Sequence, residues 1–250
     1  MDRPGKRGSS LSWFAKLFGF EPEVSPTSPN PSQKENKPKL SPFELEQPEQ
    51  PQKVSPSSPN GIRTTYERND ATLLKQLQEA NKYRGIIEAA ALRYHLQPAV
   101  LCGIGSRESH WGLALRPIGP GGRGDFARRA PRGERKTAEP PDGPGYGRGL
   151  MQIDYDWHEF ARTGSWQNPR ENIFYACQIL EQAKIFFKRN QVYLPPDQML
   201  RAILAAYNGG ATATLQAIRA GKDIDANTTG RDYSRDVLNR SGWFQLHGWR

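Results

Sequence analysis

The sequence predicts a mostly α domain of α+β type, with a small hairpin and an N-terminal tail that does not fold. Three observations carry that expectation. From Asp70 onward apolar residues recur at steps of three and four, the period of helices buried along one stripe. No segment alternates apolar and polar residues far enough for a long strand, and only Gly147–Ile153 suits a short hairpin. Residues 1–60 hold 11 of the 21 prolines and few side chains able to build a core.

Within residues 1–65 the imperfect repeat Val24–Asn30 and Val54–Asn60 favours extended, hydrated chain. This span is a disordered Pro/Ser-rich tail or linker. Leu11, Phe14, Leu17 and Phe18 would line one side of a short helix, the pattern of a weak membrane-surface contact through residues 11–20. That apolar patch is short and broken by Lys16, so it makes neither a cleavable signal nor a membrane span.

The folded domain is expected over 66–250. Leu73, Leu74, Leu77, Ala80, Ile87, Ala90 and Tyr94 predict one helix from Asp70 to about Tyr94. Pro98 opens the next, which carries Glu108 near its C-terminal end. Residues 112–149 are rich in Gly, Pro and Arg without periodicity and form a long loop insertion, a length that commonly serves function. Asn168-Pro169-Arg170-Glu171 supplies an N-cap, a first-turn proline and an acidic third residue for a helix to about Lys188. Leu200, Ile203, Leu204 and Tyr207 define another, ended by Gly209-Gly210, and a last helix starts at Asp232 and reaches Leu238 or beyond.

Charge is distributed unevenly. Residues 61–250 carry 27 Lys and Arg against 19 Asp and Glu, a net of +8, while 1–60 are near neutral with 8 against 7. The folded part therefore suits a polyanionic partner: nucleic acid, anionic lipid or a wall rich in carboxylates and phosphates. No zinc-finger or aromatic RNP signature appears, which argues against nucleic acid. The two cysteines, Cys102 and Cys177, fall in predicted helices and are expected as buried, inert thiols. The four histidines are scattered, and no metal site or cofactor is expected.

Glu108 is the residue with the clearest chemical consequence. It shares a face with Leu101, Ile104 and Trp111, and a carboxyl group on an apolar stripe either finds a partner or keeps its proton to higher pH. A carboxylic acid still protonated near neutrality is what glycoside hydrolysis needs to protonate a leaving oxygen. A salt-bridged or capping Glu is the plain alternative. The neighbouring Ser109 and His110 point about 100° apart on a helix and do not make a nucleophile–base pair.

Five separated pieces together resemble the goose-type lysozymes, within the lysozyme-like superfamily that includes lytic transglycosylases. They are Tyr83–Ile87 with Gln97–Val100, Ser106–His110, Gly147–Asp154, Ala206–Gly210 and Asp232–Val237. The resemblance implies a lysozyme-like fold with the hairpin beside a cleft, and cleavage of the β-1,4 bond between N-acetylmuramic acid and N-acetylglucosamine. It matches Glu108 to the general acid and Asp154 to an aspartate that assists water. Asp142, twelve residues before Asp154, matches a second family aspartate, with Asp125 as its rival because the interval after Glu108 is long. An inverting reaction needs the two carboxyl groups about 6.5–9.5 Å apart.

Tyr207 and Asn208 match residues lining the sugar cleft, where Gln152, Tyr146, Gly147 and His110 are also candidates for binding substrate. For each aspartate the alternative is a turn residue; for Tyr207 it is a core tyrosine; for Gln152 it is a turn-stabilising amide. The implied partner is peptidoglycan, handled by a monomer at the cell wall or outside the cell. Two other functions fit the same residues. A lytic transglycosylase would leave an anhydro product and need no water-directing aspartate. A non-catalytic wall-binding protein would keep the cleft without turnover.

Overall fold

The computed structural model describes residues 62–129 and 139–250. The chain divides into two units, 1–60 and 61–250, and the described residues belong to the second. The expected tail and the 11–20 stripe thus lie outside the described residues, apart from 62–65. Those four residues run beside the last helix, where Ile62 N donates to Gln245 Oε1 (2.9 Å) and Thr65 N to Asn239 Oδ1 (2.7 Å).

The architecture is mostly helical with one small sheet, as the periodicity predicts. Helices α1 (Ala71–Asn81), α2 (Arg84–Tyr94) and α3 (Pro98–Ser109) precede the sheet. Strands β1 (Arg123–Gly124), β2 (Gly147–Arg148) and β3 (Ile153–Asp154) pair antiparallel in that order. Then follow α4 (Glu159–Thr163), α5 (Pro169–Arg189), α6 (Pro196–Gly209), α7 (Ala211–Arg219), a 3₁₀ turn at Thr229–Arg231 and α8 (Tyr233–Leu246). Among the described residues no helix is long and apolar enough to cross a membrane.

Central α3 is buried along almost its whole length, from Ala99 to Ser106, and packs most extensively on α8. Gly103 permits that approach: a Cβ there would stand 2.5 Å from the Val237 carbonyl oxygen of α8. Cys102 and Cys177 are free and buried, as expected. Helix α5 begins as its sequence dictates, with Asn168 Oδ1 accepting from the amides of Arg170 (2.9 Å) and Glu171 (3.3 Å) and Pro169 in the first turn.

Three expectations need correction. The single helix from Asp70 to Tyr94 is two, α1 and α2, because the chain leaves helical geometry at Tyr83 (φ −111°, ψ 11°). The apolar phase runs unbroken through the break, so periodicity alone joins them. Helices α4 and α7 were not foreseen, nor was a third strand inside 112–149. Trp111 does not ride on the face of α3. The helix stops at Ser109, and His110, Trp111 and Gly112 take positive φ of 50°, 56° and 93°. The indole is nonetheless fully buried: it folds back beneath Gly105 and donates Nε1–H to Cys102 O (3.1 Å).

Candidate active site

Glu108 occupies the last turn of α3, and the end of that helix is fixed from two sides. Ser109 Oγ donates to Leu150 O (2.7 Å) in the turn between β2 and β3, and accepts from Gly112 N (3.0 Å). The Ser109 hydroxyl is therefore a structural tie, and His110 is the exposed left-handed residue that ends the helix. The half-buried Glu108 accepts through Oε1 from the phenol of Tyr233, the first residue of α8. Tyr233 is held in turn by the start of its helix, where the fully buried Asp225 accepts from Ser234 N (2.8 Å) and Ser234 Oγ (2.7 Å).

The cation beside Glu108 is directed elsewhere. Arg107 donates to Asp236 Oδ2 (2.8 Å) and to Asp232 Oδ1 (3.0 Å). Burial pushes the Glu108 carboxyl up to about 7, opposed only in part by the Tyr233 hydrogen bond and the Arg107 charge. Near neutral pH a substantial share of these groups still carries the proton. Burial likewise raises the phenols of Tyr233 and Tyr207 well above their ordinary range, so both stay neutral. Tyr207 stacks on Tyr233 with ring centroids 6.5 Å apart and donates to Met151 O (2.7 Å). Tyr207 and Ser109 thus anchor α6 and α3 to one turn, Leu150–Met151, which joins the helical side of the site to the sheet.

On the sheet the register separates the aspartates. Gly124, Gly147 and Asp154 lie opposite one another, and so do Arg123, Arg148 and Ile153, which places the two sets on opposite faces. Asp154 Oδ1 accepts from Asp156 N (2.8 Å), and its Oδ2 from Arg129 (2.6 Å). The same guanidinium pairs with Asp125 and, at 3.4 Å, with Asp156. Asp125 has a φ of 50° that takes it off the extended path of β1. Asp142 pairs instead with Arg148 (2.7 Å) and Arg123 (3.4 Å) on the other set. Asp125 and Asp154 therefore share one cation, and Asp142 has different ones.

The remaining candidates fall into place around these two centres. The Gln152 carboxamide lies against Gly124 and Gly147, where any Cβ would meet its Oε1 at 2.1 Å, and its Nε2 donates to Gly149 O (2.8 Å). Asn208 Oδ1 accepts from Thr229 N (2.8 Å), tying the end of α6 to the 3₁₀ turn that precedes Tyr233. Tyr146 is almost fully buried and carries Arg129 over its ring at 4.3 Å. Partial burial of its ring lowers the His110 imidazole pKa, with the Arg240 charge adding to the effect.

Sequence reasoning did not single out four residues that organise the site: Tyr233, Arg129, Arg148 and Asn172. Arg148 is completely buried, stacked by Tyr155 (4.9 Å) and Trp166 (5.4 Å). Asn172 on α5 donates to Arg148 O (3.0 Å) and accepts from Met151 N (2.8 Å), clamping the same turn from below. Tyr233 and Arg148 lie within the pieces Asp232–Val237 and Gly147–Asp154, and for Tyr233 the apolar neighbourhood of Glu108 is a signal that a partner could be present.

A helical domain that holds a carboxylic acid near neutrality beside a small, aspartate-bearing sheet has the layout of a glycosidase of the lysozyme type. The family model described as Lysozyme g matches residues 127–248, beginning after α3. The chain is 30% identical over 194 residues to Lysozyme g of Gallus gallus, covering 77% of this chain and 78% of that one. It is 32% identical over 166 residues to Lysozyme g of Takifugu rubripes, covering 65% and 74%. With Lysozyme g of Cyprinus carpio it shares 30% identity over 176 residues, covering 69% and 78%. The chain belongs to the lysozyme g family and is a lysozyme-type glycosidase.

Proposed function

We propose that this enzyme hydrolyses the β-1,4 bond between N-acetylmuramic acid and N-acetylglucosamine in peptidoglycan strands, with Glu108 as general acid. Its raised carboxyl, which among the described residues accepts from the Tyr233 phenol, carries this reading. Glu108 gives its proton to the bridging oxygen as the C1–O bond breaks, and positive charge develops on the sugar ring. A water adds to C1 from the opposite face and inverts it. Asp154 orients that water and takes its proton. Asp125 is the second carboxylate of this side, a role supported by the guanidinium it shares with Asp154. Asp142, the first expectation from spacing, is left to the Arg148–Arg123 pair.

The net +8 of residues 61–250 suits a wall rich in carboxylates and phosphates. The test is product analysis after the full chain acts on purified peptidoglycan. Hydrolysis yields new reducing ends with intact muramic acid. Products lighter by one water would mean that the sugar's own hydroxyl, rather than water, had attacked. Binding without release of reducing ends would remove the enzymatic reading of these residues.

A further inference from the structure

Arg129 lies four residues past Asp125, in the long segment that follows α3, and its guanidinium answers two strands of the sheet at once. Nη1 donates to Asp154 Oδ2 (2.6 Å) at the end of β3, while Nη2 pairs with Asp125 just beyond β1. The Arg129 side chain is 26% exposed, Asp154 27% and Asp125 40%, so the cation is mostly enclosed while both carboxylates keep some surface open to solvent. Beneath it, the guanidinium carbon stands 4.3 Å from the centre of the Tyr146 ring. Tyr146 is itself tied through the backbone to both sides, its N donating to Asp125 O (2.9 Å) and its O accepting from Tyr155 N (2.8 Å). Burial alone would weaken the Arg129 charge. The hydrogen bonds and charges of Asp154 and Asp125 outweigh it and push the group above its ordinary value, so it is a cation at every working pH.

Two carboxylates gathered at one place repel each other, and without a cation between them they part or share a proton. A guanidinium answers both because its N–H groups form a rigid planar fork, which the point charge of a lysine does not reproduce. Asp154 shows the consequence most directly. Its Oδ1 accepts from the amides of Asp156 (2.8 Å) and Trp157 (3.3 Å), and its Oδ2 accepts from Arg129, so both oxygens are held. The two amide bonds are local, within three positions along the chain. The bond to Arg129 is what relates Asp154 to Asp125.

We propose that Arg129 is a positioning residue, a clamp that holds the Asp125 and Asp154 carboxylates in one geometry around the attacking water. The inference rests on the hydrolytic reading given above and adds to it a cation that acts through the two aspartates and touches no reacting atom. It also gives the long insertion after α3 a task, since Arg129 is supplied from within it. Misplacing the water by a fraction of its own size leaves substrate binding alone and slows the chemical step, so the clamp is felt in kcat and not in KM.

The experiment has two arms, both on the full chain. In the kinetic arm, Arg129→Ala should lower kcat on soluble peptidoglycan fragments about 10²-fold, with KM within about twofold. Millimolar guanidinium ion should return most of the lost kcat, and sodium chloride at the same concentration should not. Arg129→Lys keeps the charge without the fork and should recover only part of it. An Ala variant as active as wild type, or more active, would overturn the clamp, the latter because Arg129 would then be obstructing the carboxylates. So would a loss that guanidinium does not restore, or a Lys variant equal to wild type. In the second arm, Tm is measured for Arg129→Ala, Asp125→Asn and Asp154→Asn, alone and combined. Arg129→Ala should lower Tm less in either Asn background than in wild type, and additive losses would overturn the clamp. This arm reads the pairing whether or not the glycan is cut. An enzyme that releases no reducing ends thus fails the assigned reaction, while the Tm cycle decides the clamp separately.

Discussion

Asp236 and Glu108 are two carboxyl groups on either side of the α3–α8 contact, and they receive opposite treatment. Asp236 accepts from Arg107 (2.8 Å), Arg240 Nε (2.7 Å) and the Tyr66 hydroxyl (3.1 Å). Burial pushes its pKa up, but the hydrogen bonds and charges of the two arginines outweigh that, and the group stays below the ordinary carboxylate range. Glu108 is sequence neighbour to the same Arg107, yet the guanidinium turns to α8 and leaves Glu108 with a neutral phenol. Burial then prevails, and its carboxyl rises to about 7. Asp236 is a structural anion because two arginines, Arg240 foremost, answer its charge, whereas Glu108 is a proton donor because burial meets only a phenol and a guanidinium turned toward α8.

The largest expected effect follows from removing the acid. Glu108→Gln should lower kcat by about 10²–10⁴-fold while the far-ultraviolet circular dichroism stays unchanged. The same variant should change the pH dependence of stability. The folded wild type binds the Glu108 proton more tightly than the unfolded chain, so this group's stabilisation is complete below its ordinary value of 4.5. It is lost as pH rises through about 7. Thermal scans should therefore show the Gln variant gaining on wild type across that window. A constant difference would mean that the carboxyl is not raised.

Disturbing the other carboxyl sharpens the contrast. Asp236→Asn should cost about 1–3 kcal/mol by weakening the hydrogen bonds of two arginines, read as a lower Tm. It should also release Arg107 toward Glu108, drawing that carboxyl down and moving the alkaline limb of kcat/KM to lower pH. A smaller effect is expected from Tyr233→Phe. The phenol favours the ionised form of Glu108, so its loss should move the same limb to higher pH, the opposite direction, with the fold intact. The smallest change should come from salt. Raising ionic strength to about 0.15 M shortens the Debye length to about 8 Å and should weaken attraction to an anionic wall, lowering kcat/KM modestly.

What was legible in the chain was local. The cap at Asn168-Pro169 is satisfied within three residues, so its reading survived intact. The unusual setting of Glu108 could be seen from the stripe on which it lies. The break at Tyr83 was hidden because apolar spacing keeps phase across it. Helix α7 was missed because Thr214, a polar residue, is fully buried and interrupts its stripe, and α4 is too short for any period to show.

By itself, then, the sequence determined the helical class, the caps and the presence of a carboxylic acid on an apolar face, since each depends on residues a few positions apart. Tertiary structure alone decided which groups answer one another. Tyr233 reaches Glu108 from 125 positions away, and Arg129 reaches Asp154 from 25. Such pairings depend on how helices and strands pack, and a hydroxyl or guanidinium leaves no periodic trace of the partner it will find.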